Sequence, residues 1–195
     1  MRMSWLSLAV AALGENCVPG SYKSHSSSDH RLICLDCPAG TFGNRFGLNS
    51  SECSGFCIQG HFGSLTGMKT AKCQGLCEEG YFCGEGSKSA RESSCGGATW
   101  FCTSGIRFPV SDGYYSTGGN ITTRTGEAKC EPGFYCVHGL RYPCQAGRFQ
   151  PDEGFAVCDT ICPEGYFCPI GSVKPVKCPA GTYGEMKGLA CKYIG

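Results

Sequence analysis

The sequence predicts a small disulfide-rich fold of elongated tandem cysteine-rich repeats, built from short β-hairpins and turns with little helix beyond a leader segment. Three observations predict it. Eighteen of the 195 residues are cysteine, the density at which a short exported chain reads as a disulfide scaffold. Large apolar side chains are scarce, with 10 Leu, 7 Ile, 7 Val and 11 Phe against 30 Gly. Burial at about 25 cal/mol per Å² cannot offset about 1.5 kcal/mol of entropy per ordered residue in such a chain, so cross-links must hold it. Finally, one short cysteine motif recurs along the whole length.

Charge excludes some partners. Seventeen basic residues against sixteen acidic ones leave a net charge of +1. No run of like charges marks a nucleic-acid footprint or a polybasic membrane patch. The glycines follow no three-residue period, which excludes collagen.

The N-terminus speaks to compartment. Arg2 precedes an apolar stretch from Met3 to Leu13, and Ala12 and Gly14 stand ahead of Glu15. This predicts a secretory signal over residues 1–14. Eleven residues are too few to cross a hydrocarbon core of about 30 Å, and no later stretch approaches 18 apolar residues, so no membrane span is expected. Export, an oxidising compartment and the cysteine count support one another. Two sequons, Asn49-Ser50-Ser51 and Asn120-Ile121-Thr122, mark possible glycosylation sites.

The motif is Cys, two residues, Gly, one residue, then Tyr or Phe. Its eight copies begin at Cys17, Cys37, Cys57, Cys77, Cys130, Cys144, Cys162 and Cys178. Glycine at the fourth place describes a tight turn that needs positive φ, while its neighbour, Thr41 in the second copy, carries no special demand. Half of the aromatic residues fall at the fourth or fifth place after these cysteines. They are expected to lie over the bridges as a miniature core. Long copies close with a cysteine after 12 to 16 intervening residues, as Cys37 does at Cys53. Short copies close directly after the aromatic pair, as Cys77 does at Cys83.

Closing a loop of about 15 residues is worth about 3 kcal/mol, so the cysteines are expected to be bridged. The spacing favours Cys17–Cys34, Cys37–Cys53 and Cys57–Cys73. A scheme joining Cys34 to Cys53 and Cys37 to Cys57 stays open.

Four segments follow: the leader at 1–14, a first cysteine-rich array at 15–95, a cysteine-poor hairpin-like segment at 96–129, and a second array at 130–195. Within the third, Val110-Ser111-Asp112-Gly113-Tyr114-Tyr115 keeps the glycine and the aromatics while Val110 stands where the cysteine would be. It reads as a copy that has lost its bridge. Cys191 is followed four residues later by Gly195 where the next motif cysteine would fall, so the array is expected to continue in a longer ectodomain.

At these residues the chain resembles the ephrin-receptor-like cysteine-rich repeat, related to the cysteine-rich modules of growth-factor receptors. CPAGTF at Cys37 and CPAGTY at Cys178, each with a Gly-apolar pair and a closing cysteine, carry the likeness. It spans about residues 17–195 and is loosest over 96–129. The resemblance implies a rigid extracellular rod with ligand binding on other domains, and no ephrin-binding domain is present to carry that recognition over. Epidermal-growth-factor modules need a Cys-x-Cys step, which this chain lacks.

Catalytic and metal chemistry find little support. Cys34-x-x-Cys37 with Cys53-x-x-x-Cys57 has the form of a four-thiolate zinc site, but the second step recurs at Cys73 and Cys158 without the first, so it belongs to the repeat. His25, His30, His61 and His138 stand apart, and no HExxH, GxSxG or phosphate-binding loop organises them. No enzyme, metal site or cofactor is expected. The predicted role is an extracellular, disulfide-stapled spacer or a binding module for proteins or glycans. A binding module would present an aromatic patch outside the repeat positions, with Trp100, Phe101, Phe108, Tyr114 and Tyr115 as candidates. The alternative from another class is an intracellular multi-zinc protein.

Overall fold

Glycine-punctuated segments of two to five residues leave little length for any element but a ribbon, and ribbons are what the chain forms. The computed structural model describes residues 16–184, 188 and 190–193. The leader at 1–14 and the end of the array at Ile194 and Gly195 lie outside the described residues, which contain no helix.

In chain order the strands pair as nine two-stranded sheets. They are β1 (Ser21–His25) with β2 (Leu32–Asp36), β3 (Thr41–Phe42) with β4 (Gly55–Phe56), and β5 (His61–Phe62) with β6 (Gly75–Leu76). Next come β7 (Tyr81–Phe82) with β8 (Ser93–Ser94), β9 (Trp100–Thr103) with β10 (Ile106–Pro109), and β11 (Tyr114–Thr117) with β12 (Gly126–Lys129). The last are β13 (Phe134–Val137) with β14 (Leu140–Pro143), β15 (Tyr166–Phe167) with β16 (Val176–Lys177), and β17 (Thr182–Gly184) with β18 (Cys191–Tyr193). An isolated two-stranded ribbon is marginal in water, and every ribbon but β11–β12 lies in a repeat that carries a staple.

The staples are nine disulfides. They join Cys17–Cys34, Cys37–Cys53, Cys57–Cys73, Cys77–Cys83, Cys95–Cys102, Cys130–Cys136, Cys144–Cys158, Cys162–Cys168 and Cys178–Cys191. No cysteine is free. The Cα–Cα separations lie between 5.5 and 6.3 Å, in the range that bridges span without moving the backbone.

Two compact units emerge, Met1–Glu78 with Phe82–Ser93 and Glu79–Tyr81 with Ser94–Gly195. Inside each, one backbone bond recurs. The first cysteine of a repeat donates its N–H to the carbonyl of the turn glycine in the repeat before. In the first unit Cys37 donates to Gly20, Cys57 to Gly40 and Cys77 to Gly60. In the second, Cys95 donates to Gly80, Cys130 to Gly113, Cys144 to Gly133, Cys162 to Gly147 and Cys178 to Gly165. These bonds satisfy peptide groups that ribbons this short would leave unpaired.

The turn glycines have positive φ, +83° at Gly40. A Cβ there would press on the carbonyl oxygen of Gly86. Its neighbour is less indifferent than the sequence implies. Thr41 is 7 % exposed and its hydroxyl donates to Pro38 O at 2.8 Å. Ser21 and Thr182 do the same to Val18 and Pro179.

The core differs from the expected one. Among the described residues the large buried apolar side chains are all cysteines, twelve of them at 5 % exposure or less. The aromatic residues of the motif are only half buried, and Tyr183 is 48 % exposed. Sulfur fills the centre because repeats of about twenty residues or fewer, closed by a bridge at each turn, leave room inside for a disulfide but not for a ring.

Candidate functional site

The richest cluster of ring and charge contacts lies in the second compact unit. It is built by a ten-residue pattern that occurs twice. Trp100-Phe101-Cys102-Thr103-Ser104-Gly105-Ile106-Arg107-Phe108-Pro109 is matched by Phe134-Tyr135-Cys136-Val137-His138-Gly139-Leu140-Arg141-Tyr142-Pro143. Both fold as hairpins with two-residue turns. Ser104 and Gly105 have φ of 52° and 73°, and His138 and Gly139 have 52° and 70°. Positive φ at both central residues is the primed turn whose twist suits a tight hairpin.

Register then sorts the side chains. Phe101 faces Phe108 across β9–β10, and Tyr135 faces Tyr142 across β13–β14. The rings stack with centroids 5.6 Å apart in the first hairpin and 5.5 Å in the second. Cross-strand aromatic pairs of this kind stabilise a hairpin by roughly 0.2–1 kcal/mol. On the alternate positions Cys102 faces Arg107 and Cys136 faces Arg141. Arg107 lies 4.1 Å from the Trp100 ring, and Arg141 lies 4.8 Å from Phe134 and 5.3 Å from Tyr115. Each hairpin therefore carries a ring stack on one face and a guanidinium over a ring on the other.

Between them stands β11–β12. Tyr115 is opposite Ala128, so its ring has no cross-strand aromatic partner. Its hydroxyl donates instead to Glu131 Oε1 at 2.9 Å, and Arg141 donates to the same oxygen at 2.9 Å. The hydrogen bond to Glu131, with burial adding to it, raises the Tyr115 phenol above its ordinary value. Burial pushes the Glu131 carboxyl up, but its own backbone N–H, the Tyr115 hydroxyl and Arg141 together outweigh that and hold it below its ordinary value. Lys129 donates to Glu153 at 2.7 Å, which raises the lysine.

Of the five aromatic candidates, the structure brings Phe101 and Phe108 into one stack and turns Trp100 to the opposite face under Arg107. Tyr114 and Tyr115 sit on the next ribbon. Phe108 is 39 % exposed, and so is Tyr142. Arg141 and Tyr142 carry a signal outside the Cys-x-x-Gly motif, namely Gly-apolar-Arg-aromatic-Pro beginning three residues after the closing cysteine, at Gly105 and at Gly139. Asn49 and Asn120 are both exposed.

Elsewhere a groove of about 390 Å³ is lined by Pro38, Thr41, Phe56, Glu85 and Lys88 among others. His25, His30 and His138 are exposed and His61 is half buried. Among the described residues no three His, Cys, Asp or Glu side chains gather as metal ligands. Cys34, Cys37, Cys53 and Cys57, which together have zinc-site spacing, belong to three separate disulfides.

The chain is a cysteine-rich, disulfide-stapled module made of β-hairpins. No family model matches it. A 49-residue stretch, 25 % of the chain, is 41 % identical to part of the ABC-type transporter claG of Penicillium crustosum. The chain spans about 4 % of that transporter's length. Among the described residues no helix is long and apolar enough to cross a membrane.

Proposed function

We propose that the chain is a non-catalytic extracellular module that presents a binding surface to proteins or glycans on hairpins β9–β10 and β13–β14. The observation that carries the extracellular part is the use of all eighteen cysteines in bridges, a state that reducing compartments do not maintain. The binding part is supported by the paired ring stacks and their exposed members, Phe108 and Tyr142. Exposed aromatic side chains with arginine nearby are the residue types that dominate interface energetics. The likeness to a short stretch of a transporter fits a module that larger proteins carry.

Two measurements test this reading. Thiol titration of the purified chain in denaturant, with zinc analysis on the same sample, should find no thiols and no zinc. Many free thiols with bound zinc would return the intracellular multi-zinc reading. The chain and its Phe108→Ala/Tyr142→Ala variant should then be compared on panels of immobilised glycans and extracellular-matrix proteins. Binding that the double variant loses places the surface on the hairpins. Identical behaviour of the two proteins would leave the module a spacer.

A further inference from the structure

We propose that Asn120 is an N-glycosylation site of this chain and is occupied in preference to Asn49. Three observations on β11–β12 carry this. First, the ribbon departs from its two neighbours at one place. Where β9–β10 and β13–β14 turn over two residues, the connection from Thr117 to Gly126 runs through residues 118–125, and the sequon Asn120-Ile121-Thr122 lies inside that added loop.

Second, the acceptor is open. Asn120, Ile121 and Thr122 are all exposed, Ile121 at 58 %. A glycan here meets solvent, and its first sugars would cover an apolar side chain that the fold leaves bare.

Third, the sequon's side chains are held in one arrangement that leaves the amide nitrogen open. The Thr122 hydroxyl donates to Asn120 Oδ1 at 2.8 Å, and the backbone N–H groups of Thr122 and Thr123 donate to the same oxygen at 2.8 and 3.1 Å. Three donors on the carbonyl oxygen fix the amide plane, and among the described residues nothing is hydrogen-bonded to Nδ2. That nitrogen forms the new bond to the anomeric carbon of a polyprenyl-diphosphate-linked oligosaccharide. The bond from that carbon to the diphosphate oxygen breaks, the diphosphate leaves with the electron pair, and the Nδ2 proton passes to base. Asn49 lacks this arrangement. In its sequon Ser51 stands where Thr122 does, and its hydroxyl makes no hydrogen bond to the Asn49 amide, while Ser50 accepts from Glu52 N–H.

This inference rests on the extracellular reading, and one experiment separates the two. The full 195-residue chain is translocated into the endoplasmic reticulum behind a secretory leader, and endoglycosidase shift, glycopeptide mass and thiol count are read on the same sample. A single glycan is expected, lost in Asn120→Gln and in Thr122→Ala and retained in Asn49→Gln. The Thr122 variant keeps the asparagine, so loss there is not explained by damage to the loop's amide. A translocated, fully bridged chain with no glycan, or with the glycan on Asn49, overturns the proposal and leaves the extracellular reading standing. Free thiols after translocation would overturn the extracellular reading whatever the glycan result.

Discussion

The repeats that begin at Cys130 and at Val110 share one glycine turn, with a staple in the first and none in the second. Cys130 and Cys136 are bridged. Val110 and Ser116 occupy the corresponding places, and Ser116 is 5 % exposed, filling the space of a sulfur and donating its hydroxyl to Gly139 O. The turn glycines Gly113 and Gly133 both have a φ of +81°. Gly113 donates to Cys136 O and accepts from Cys130 N, while Gly133 donates to Gln150 O and accepts from Cys144 N. The backbone path survives loss of the disulfide. Glycine and the bonds between successive repeats therefore set the path, and the bridge limits how far the chain departs from it when unfolded.

The glycine should matter most. A Cβ on Gly113 would overlap Gly154 O, and one on Gly133 would overlap Gly171 O. Gly113→Val and Gly133→Val are each expected to abolish secretion of correctly bridged chain, with or without a bridge in that repeat. Gly40→Val belongs to the same class. Thr41→Val, which removes one buried hydrogen bond, should cost about 1 kcal/mol and leave the yield measurable by non-reducing electrophoresis.

Bridge removal comes next. Replacing Cys130 and Cys136 together by serine recreates the Val110 situation. It should lower stability by about 2 kcal/mol for so short a loop, against about 3 kcal/mol for the longer Cys37–Cys53 loop, read as a denaturation midpoint. Equal losses would mean that the bridges act through native contacts instead of loop closure.

Val110→Cys/Ser116→Cys should form a tenth disulfide and raise stability by up to about 2 kcal/mol. Loss of two hydrogens by mass spectrometry, with the other nine pairs intact, is the check.

Charge contacts should matter least. Arg141→Ala removes a guanidinium from two rings and from Glu131, whose Oε2 is already buried without a partner. A loss of about 0.5–1 kcal/mol is expected. The lowered Glu131 carboxyl contributes stability that is complete above its ordinary value of 4.5 and is lost as pH falls through the lower folded value. Glu131→Gln should flatten that acid limb. Tyr115 runs the other way. Its contribution is complete below 10.0 and fades as pH rises through the raised folded value, so Tyr115→Phe should flatten an alkaline limb.

What the sequence made legible follows from which signals are local. The disulfide-rich, hairpin-only fold could be read from cysteine count and from Cys-x-x-Gly-x-aromatic, because a tight turn is decided within four residues. The repeat at Cys95 was hidden. Gly96-Gly97-Ala98-Thr99 adds one residue before Trp100-Phe101, so Thr99 stands where other copies have glycine, and its carbonyl accepts from Val110 N–H as a glycine carbonyl does elsewhere. Ser116 was hidden too, because a buried serine standing in for half a disulfide carries no pattern of its own. The ring stacks depend on cross-strand register, and that register is fixed only once Ser104-Gly105 and His138-Gly139 are known to adopt primed turns.

Every repeat that begins with a cysteine is closed by its own bridge, and peptide mapping of the non-reduced chain reads that pairing out. Nine linked peptide pairs are expected, among them Cys17–Cys34, Cys37–Cys53, Cys95–Cys102 and Cys130–Cys136. Links that skip between repeats, such as Cys34 to Cys53 with Cys37 to Cys57, would contradict it.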